Sequence, residues 1–131
     1  MEPPAINLQT RDSAADLTLA TAQLEVDQWI NSIGVKYFSE LTNLAQLVEE
    51  VGELARVLSR TYGEQSYKTD AQPGDLADEM ADVMFVLICL ANQTGVDLST
   101  AFRNNLDKKT RRDGQRHQDN PKLQSQPRKE N

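Results

Sequence analysis

Cysteine and histidine are almost missing from this 131-residue chain, where Cys89 and His117 each stand alone. An internal disulfide and a zinc knuckle both need at least two suitably spaced ligands, so neither can form within the chain. A di-iron bundle, which would need Glu-x-x-His pairs, is excluded on the same ground. Cys89 lies inside an apolar run and reads as a small core hydrophobe rather than a nucleophile. Long apolar runs are also lacking. The longest, Val83 to Ala91, is about half of the roughly 18 residues a membrane helix requires. The first residues have neither the basic start nor the apolar centre of a signal peptide. No membrane contact and a cytoplasmic location are therefore expected. No segment alternates like a strand and no repeat is visible, so the expected class is all-α.

Basic residues are scarce in most of the chain. Residues 1–102 carry 5 basic and 16 acidic side chains, whereas residues 103–131 carry 9 basic and 4 acidic. An acidic body repels phosphate backbones, which argues against a nucleic-acid partner. It attracts divalent cations instead, with bases close by for phosphate.

Periodicity predicts a four- to five-helix bundle over residues 13–117, between a flexible leader (1–12) and a disordered tail (118–131). A first helix starts near Asp12 or Ser13, carries the stripe Leu19, Ala22, Val26, Trp29 and Ile33, and stops at a left-handed Gly34. Ser39 caps a second helix, whose stripe Leu41, Leu44, Val48, Val51, Ala55 and Leu58 is the strongest periodic signal in the sequence. Gly63 ends that helix, and a polar loop leads to Asp75, the expected cap of a third. The third helix is apolar on every side around Val83 to Ala91. Such a helix must be covered all round, which predicts an oligomer with Phe85, Ile88 and Cys89 against a neighbouring chain. Asp97 caps a fourth helix, with Leu98, Ala101, Phe102 and Leu106 expected to face inward.

Residues three or four apart on a helix share a face, so Glu50 with Glu53, and Glu79 with Asp82, form two claws of matching spacing. Both lie beside apolar stripes. Carboxylates gathered there repel one another unless cations neutralise them, and oxygen donors without histidine or thiolate favour Mg2+, or Mn2+, over zinc.

Glu49-Glu50-Val51-Gly52-Glu53 and Glu79-Met80-Ala81-Asp82, with 25 residues between them, resemble the signature of the MazG-like nucleoside triphosphate pyrophosphohydrolases. The resemblance extends from about Trp29 to Arg112 and includes the Gly95-Val96-Asp97-Leu98 turn. It implies an all-α homodimer or homotetramer that converts a nucleoside triphosphate to the monophosphate and pyrophosphate. It also implies metal ligands at Glu50, Glu53, Glu79 and Asp82, with Glu49 as an outer carboxylate or water-orienting base. Glu49, Glu50 and Glu53 are thus the catalytic candidates. Lys108, Lys109 and Arg112 are the candidates for phosphate contact, and Trp29, Tyr37 and Phe38 for stacking on the base. The chain departs from some relatives in reading Lys108-Lys109-Thr110-Arg111-Arg112-Asp113-Gly114 without their asparagine or following Tyr-Pro, and in placing Val86 where they carry an aromatic residue. Phosphoribosyl-ATP pyrophosphohydrolase, a related helical enzyme, is the alternative within enzymes. A non-catalytic acidic oligomer that binds a protein partner is the alternative outside them.

Overall fold

The computed structural model describes residues 16–124, and the chain divides into two compact units, residues 1–96 and 97–131. The first holds α1 (Leu19–Ser32), α2 (Glu40–Tyr62) and α3 (Leu76–Thr94); the second holds α4 (Leu98–Gln118). There is no strand among the described residues, so the all-α expectation holds with four helices. The expected leader (1–12) and the last part of the expected tail (125–131) fall outside the described residues. No single described helix is long and apolar enough to cross a membrane.

Helix α1 begins later than its periodicity suggested. Thr18 is the cap: its hydroxyl accepts from Thr21 N at 3.1 Å, and Thr21 Oγ1 accepts from Thr18 N at 2.9 Å. That reciprocal pair satisfies two otherwise orphaned N–H groups and sets the boundary. The inward face also differs toward the C-terminal end of α1, where Ile30 is buried while Trp29 is 45% and Ile33 71% exposed. Gly34 is not the left-handed stop. Val35 takes that conformation at φ 74°, and Gly34 is needed for close approach, since a Cβ there would meet Trp29 and the Ile30 backbone at 3.1–3.2 Å. A β-branched residue is strained in the left-handed region by about 1–2 kcal/mol, partly offset on substitution by glycine's extra unfolded-state entropy. Val35→Gly should therefore raise stability by about 0.5–1 kcal/mol, read from thermal melts.

The three helices of unit 1 meet at α3, against which both α1 and α2 pack. Ile88 and Cys89, expected at an oligomer contact, are instead buried within the protomer with Val86 and Ala91. Phe85 is half-buried and meets Trp29 edge-on, with ring centroids 5.7 Å apart. The faces left uncovered are different ones. On α2 the strong apolar stripe is outward, with Leu41, Leu44, Val48 and Val51 all exposed, as are Met80, Met84 and Leu87 on α3. The α2 face that packs inward is a mixed one, in which Asn43 and Val57 are buried and Gln46, Leu47, Glu50 and Leu54 are half-buried. The α3 helix ends on Gly95 at φ 71°, a left-handed stop.

An amide-rich connection ties α1 and the segment after it to α3. The Tyr37 hydroxyl donates to Asp27 Oδ1 at 2.7 Å and accepts from Asn92 Nδ2 at 3.1 Å; Asn92 also donates to the Gln23 carbonyl at 2.9 Å. Burial, then the bond to Asp27, raises the Tyr37 phenol from its usual value to about 12. A raised folded-state value favours the neutral phenol, so this contribution is full below pH 10 and is lost as pH rises from about 10 to about 12. Tyr37→Phe leaves Asp27 and Asn92 without their shared partner. The expected cost is about 1–3 kcal/mol in chemical denaturation, with the pH 10–12 loss of stability reduced as well.

In unit 2, Asp97 caps α4 through Ser99 N and Thr100 N. Of the residues expected to face inward, Leu98 is half-buried, while Ala101, Phe102 and Leu106 are exposed. The buried side chain of this unit is Asp113, which takes ion pairs from Arg112 at 2.6 Å and Arg116 at 3.0 Å. The hydrogen bond from Arg112 holds its carboxyl below the usual range. Past Gln118, hydrogen-bonded turns carry the chain on through Leu123, whose N–H donates to the Asn120 carbonyl.

Candidate active site

Glu50 from α2 and Glu79 and Asp82 from α3 converge, each offering a carboxylate oxygen, with all three oxygens within 4.8 Å of one another. All three residues are half-buried. The helix period explains how they meet: Glu79 and Asp82 are three apart near the start of α3, and Glu50 lies on the α2 face that packs against it. Burial raises the Glu50 carboxyl above its usual range, and repulsion from Asp82, Glu79, Glu49 and Glu53 raises it further. A charge held under such repulsion is a seat for a cation. Three hard oxygen donors with no imidazole or thiolate fit a divalent ion of the Mg2+ or Mn2+ kind.

The fourth expected ligand stands apart. Glu53 lies outside this three-oxygen cluster and is ion-paired with Arg56 at 3.0 Å, both residues being exposed. Glu49 is exposed beside the cluster. Lys108, Lys109 and Arg112 belong to α4 in unit 2, where Lys109 bonds the Asn105 side chain and Arg112 is engaged by Asp113.

A cavity of about 290 Å³ opens beside the carboxylates. Its walls come from Trp29 and Ile30 of α1, Gly34, Lys36, Tyr37 and Phe38 of the connecting segment, and Phe85, Val86 and Cys89 of α3. Asn43, Gln46 and Glu50 form the α2 side. Glu50 thus belongs to both cavity and cluster. The three residues expected to stack on a base all line this cavity, although Tyr37 spends its hydroxyl proton on Asp27. Val86 lines it too, and the aromatic residue on α3 is its neighbour Phe85.

Sequence reasoning missed Asn43, Gln46, Lys36 and Gln93. A signal was present for one of them. Asn92 and Gln93 interrupt the end of an otherwise apolar helix, and amides there call for partners.

The model of the MazG nucleotide pyrophosphohydrolase domain matches residues 38–117. This chain belongs to the MazG nucleotide pyrophosphohydrolase family. It is accordingly a hydrolase of nucleotide phosphoanhydrides. YpjD of Bacillus subtilis is 39% identical over 102 residues, covering 78% of this chain and 92% of its own. The YpjD crystal structure superposes with a TM-score of 0.67 over 76% of this chain and 99% of that one. A Bacillus-conserved MazG protein, itself a nucleotide pyrophosphohydrolase, is 37% identical over 72% of this chain and 90% of its own, with a TM-score of 0.60. The matched region contains the carboxylate cluster and the α2 and α3 walls of the cavity.

Proposed function

We propose that this MazG protein is a Mg2+-dependent pyrophosphohydrolase of nucleoside triphosphates, ribo or deoxy, releasing the monophosphate and pyrophosphate. The observation that carries the reading is the shared position of Glu50, which closes one side of an aromatic-lined cavity and contributes to the three-carboxylate cluster. A nucleotide has the matching two ends, a flat base and a polyanionic triphosphate. When bound, the ion supplies charge neutralisation of the phosphates and polarisation of the reacting anhydride. Glu50, Glu79 and Asp82 hold it. Glu53 would join them by releasing Arg56, an exposed and so weakly held partner. The Glu49 carboxylate accepts the proton of the attacking water. Trp29 and Phe38 stack on the base, while Tyr37, locked to Asp27 and Asn92, holds the wall they stand on. Lys108, Lys109 and Arg112 of α4 remain the candidates for phosphate contact.

The working form is a homodimer or homotetramer. Leu41, Leu44, Val48 and Val51 of α2 form an exposed apolar row, and a second copy covers it. The test of the activity is a panel of common and modified nucleoside triphosphates plus phosphoribosyl-ATP, with monophosphate and pyrophosphate both quantified. Equal yields of the two products, absent without Mg2+, are expected from at least one nucleoside triphosphate. Turnover of phosphoribosyl-ATP alone would assign the related enzyme, and diphosphate with orthophosphate would overturn the cleavage site.

A further inference from the structure

The orientation of the Asn43 amide is fixed by a chain of bonds that starts at an unambiguous acceptor. The Phe38 carbonyl can only accept, so the Gln93 side chain bonded to it presents Nε2 there. Gln93 Oε1 then faces the other way and accepts from Asn43 Nδ2 at 2.7 Å. Asn43 in turn has its amide nitrogen directed at Gln93, which does not line the cavity. Asn43 itself lines the cavity, and its Oδ1 accepts no hydrogen bond among the described residues. The residue as a whole is only 6% exposed.

Its position suits one part of a nucleotide. Asn43, Gln46 and Glu50 lie on one face of α2, and the rise from 43 to 50 is ~10 Å, close to the reach from a base edge to the first phosphate. With the triphosphate at the carboxylates, the base edge therefore meets Asn43. Gln46 has no partner among the described residues and can turn either end of its amide inward, so it does not discriminate. Asn43 cannot turn without breaking the Gln93 bond.

Building on the pyrophosphohydrolase reading, we infer that Asn43, oriented by Gln93, selects nucleotides whose base carries an amino group at C4 of a pyrimidine or C6 of a purine, as in cytosine or adenine, over their keto counterparts. An amino group donates to Asn43 Oδ1. A keto oxygen in the same place puts two acceptors face to face and leaves both unpaired in a confined site, the situation in which hydrogen-bonding pockets reject analogues most strongly. Asn43 is here a specificity residue and Gln93 a positioning residue.

Two pairs that exchange amino for keto at this position, with the neighbouring ring nitrogen changing from acceptor to N–H donor, test this: dCTP with dUTP, and dATP with dITP. In the wild-type protein, kcat/KM should favour the amino member of at least one pair by on the order of 100-fold, and which pair responds separates cytosine from adenine. Asn43→Ala and Gln93→Ala should each collapse that ratio to about threefold or less while retaining turnover, which a merely structural role for Gln93 would not do. Binding of dCMP against dUMP, and of dAMP against dIMP, measured by calorimetry without metal, gives a readout that needs no hydrolysis. The amino member of the responsive pair should bind at least about tenfold tighter. Equal kcat/KM within both pairs, a keto preference, or a ratio unchanged in both variants overturns the inference, as does equal or absent binding of all four monophosphates. Should no triphosphate be hydrolysed while dCMP or dAMP still outbinds its keto partner, the inference stands and the hydrolase reading of the cluster falls. Wild-type ratios decide the matter if either variant does not fold.

Discussion

Glu50→Gln is expected to reduce metal-dependent turnover by at least about 1,000-fold while leaving the helical content unchanged. The substitution keeps the shape of the side chain and removes one of three charges that face a common point, so two carboxylates remain where three met within 4.8 Å. Asp82→Asn should do the same. Stability without metal should move the other way. Burial and four neighbouring carboxylates all disfavour the charged form of Glu50, so a neutral amide relieves repulsion and the metal-free melting temperature should hold or rise. Activity lost together with folding would point to a structural carboxylate. Activity lost from a protein at least as stable identifies a binding group that the fold tolerates at a cost.

The second large effect is on assembly. Val48 is 65% exposed in the protomer, at the centre of the outward α2 row, so Val48→Asp should change the stability of an isolated protomer by no more than about 0.5 kcal/mol. In a dimer or tetramer joined through that row, the same substitution buries a charge without a partner. The wild-type chain should sediment as a dimer or tetramer at micromolar concentration and the variant as a folded monomer. Phe85, Ile88 and Cys89 are not the residues to test, because Ile88 and Cys89 are buried against the protomer's own helices and Phe85 is packed on Trp29.

That contrast shows what the sequence could and could not reveal. Periodicity located α2 well, with Ser39 as its cap and Gly63 after it, because caps and apolar spacing are local properties of the chain. It did not say which face the protomer buries. The regular stripe from Leu41 to Val51 is the exposed one, while the buried face mixes Leu47, Leu54 and Val57 with Asn43, Gln46 and Glu50. An apolar stripe signals that something covers it, and the covering element need not belong to the same chain. The pairing of Glu50 with Glu79 and Asp82 was legible because two-claw spacing on consecutive helices is a rule of helix geometry. The departure of Glu53 toward Arg56 was not, since a neighbour three residues away competes for the carboxylate and spacing alone does not decide between them. Asn43 was illegible for another reason. Fifty residues separate it from Gln93, and a lone amide on a helix looks like any solvated polar residue until its partner is known.

The central claim is that Glu50, Glu79 and Asp82 together hold the divalent ion that turnover requires. Electron paramagnetic resonance of Mn2+ titrated with wild-type protein, Glu79→Gln and Asp82→Asn tests it most directly, because free Mn2+ is counted without reference to any substrate. The wild-type protein is predicted to withdraw Mn2+ from solution in competition with Mg2+, and each variant to bind it at least about tenfold more weakly. Equal Mn2+ binding by the wild type and both variants would contradict the assignment and place the metal, if the enzyme uses one, on other residues.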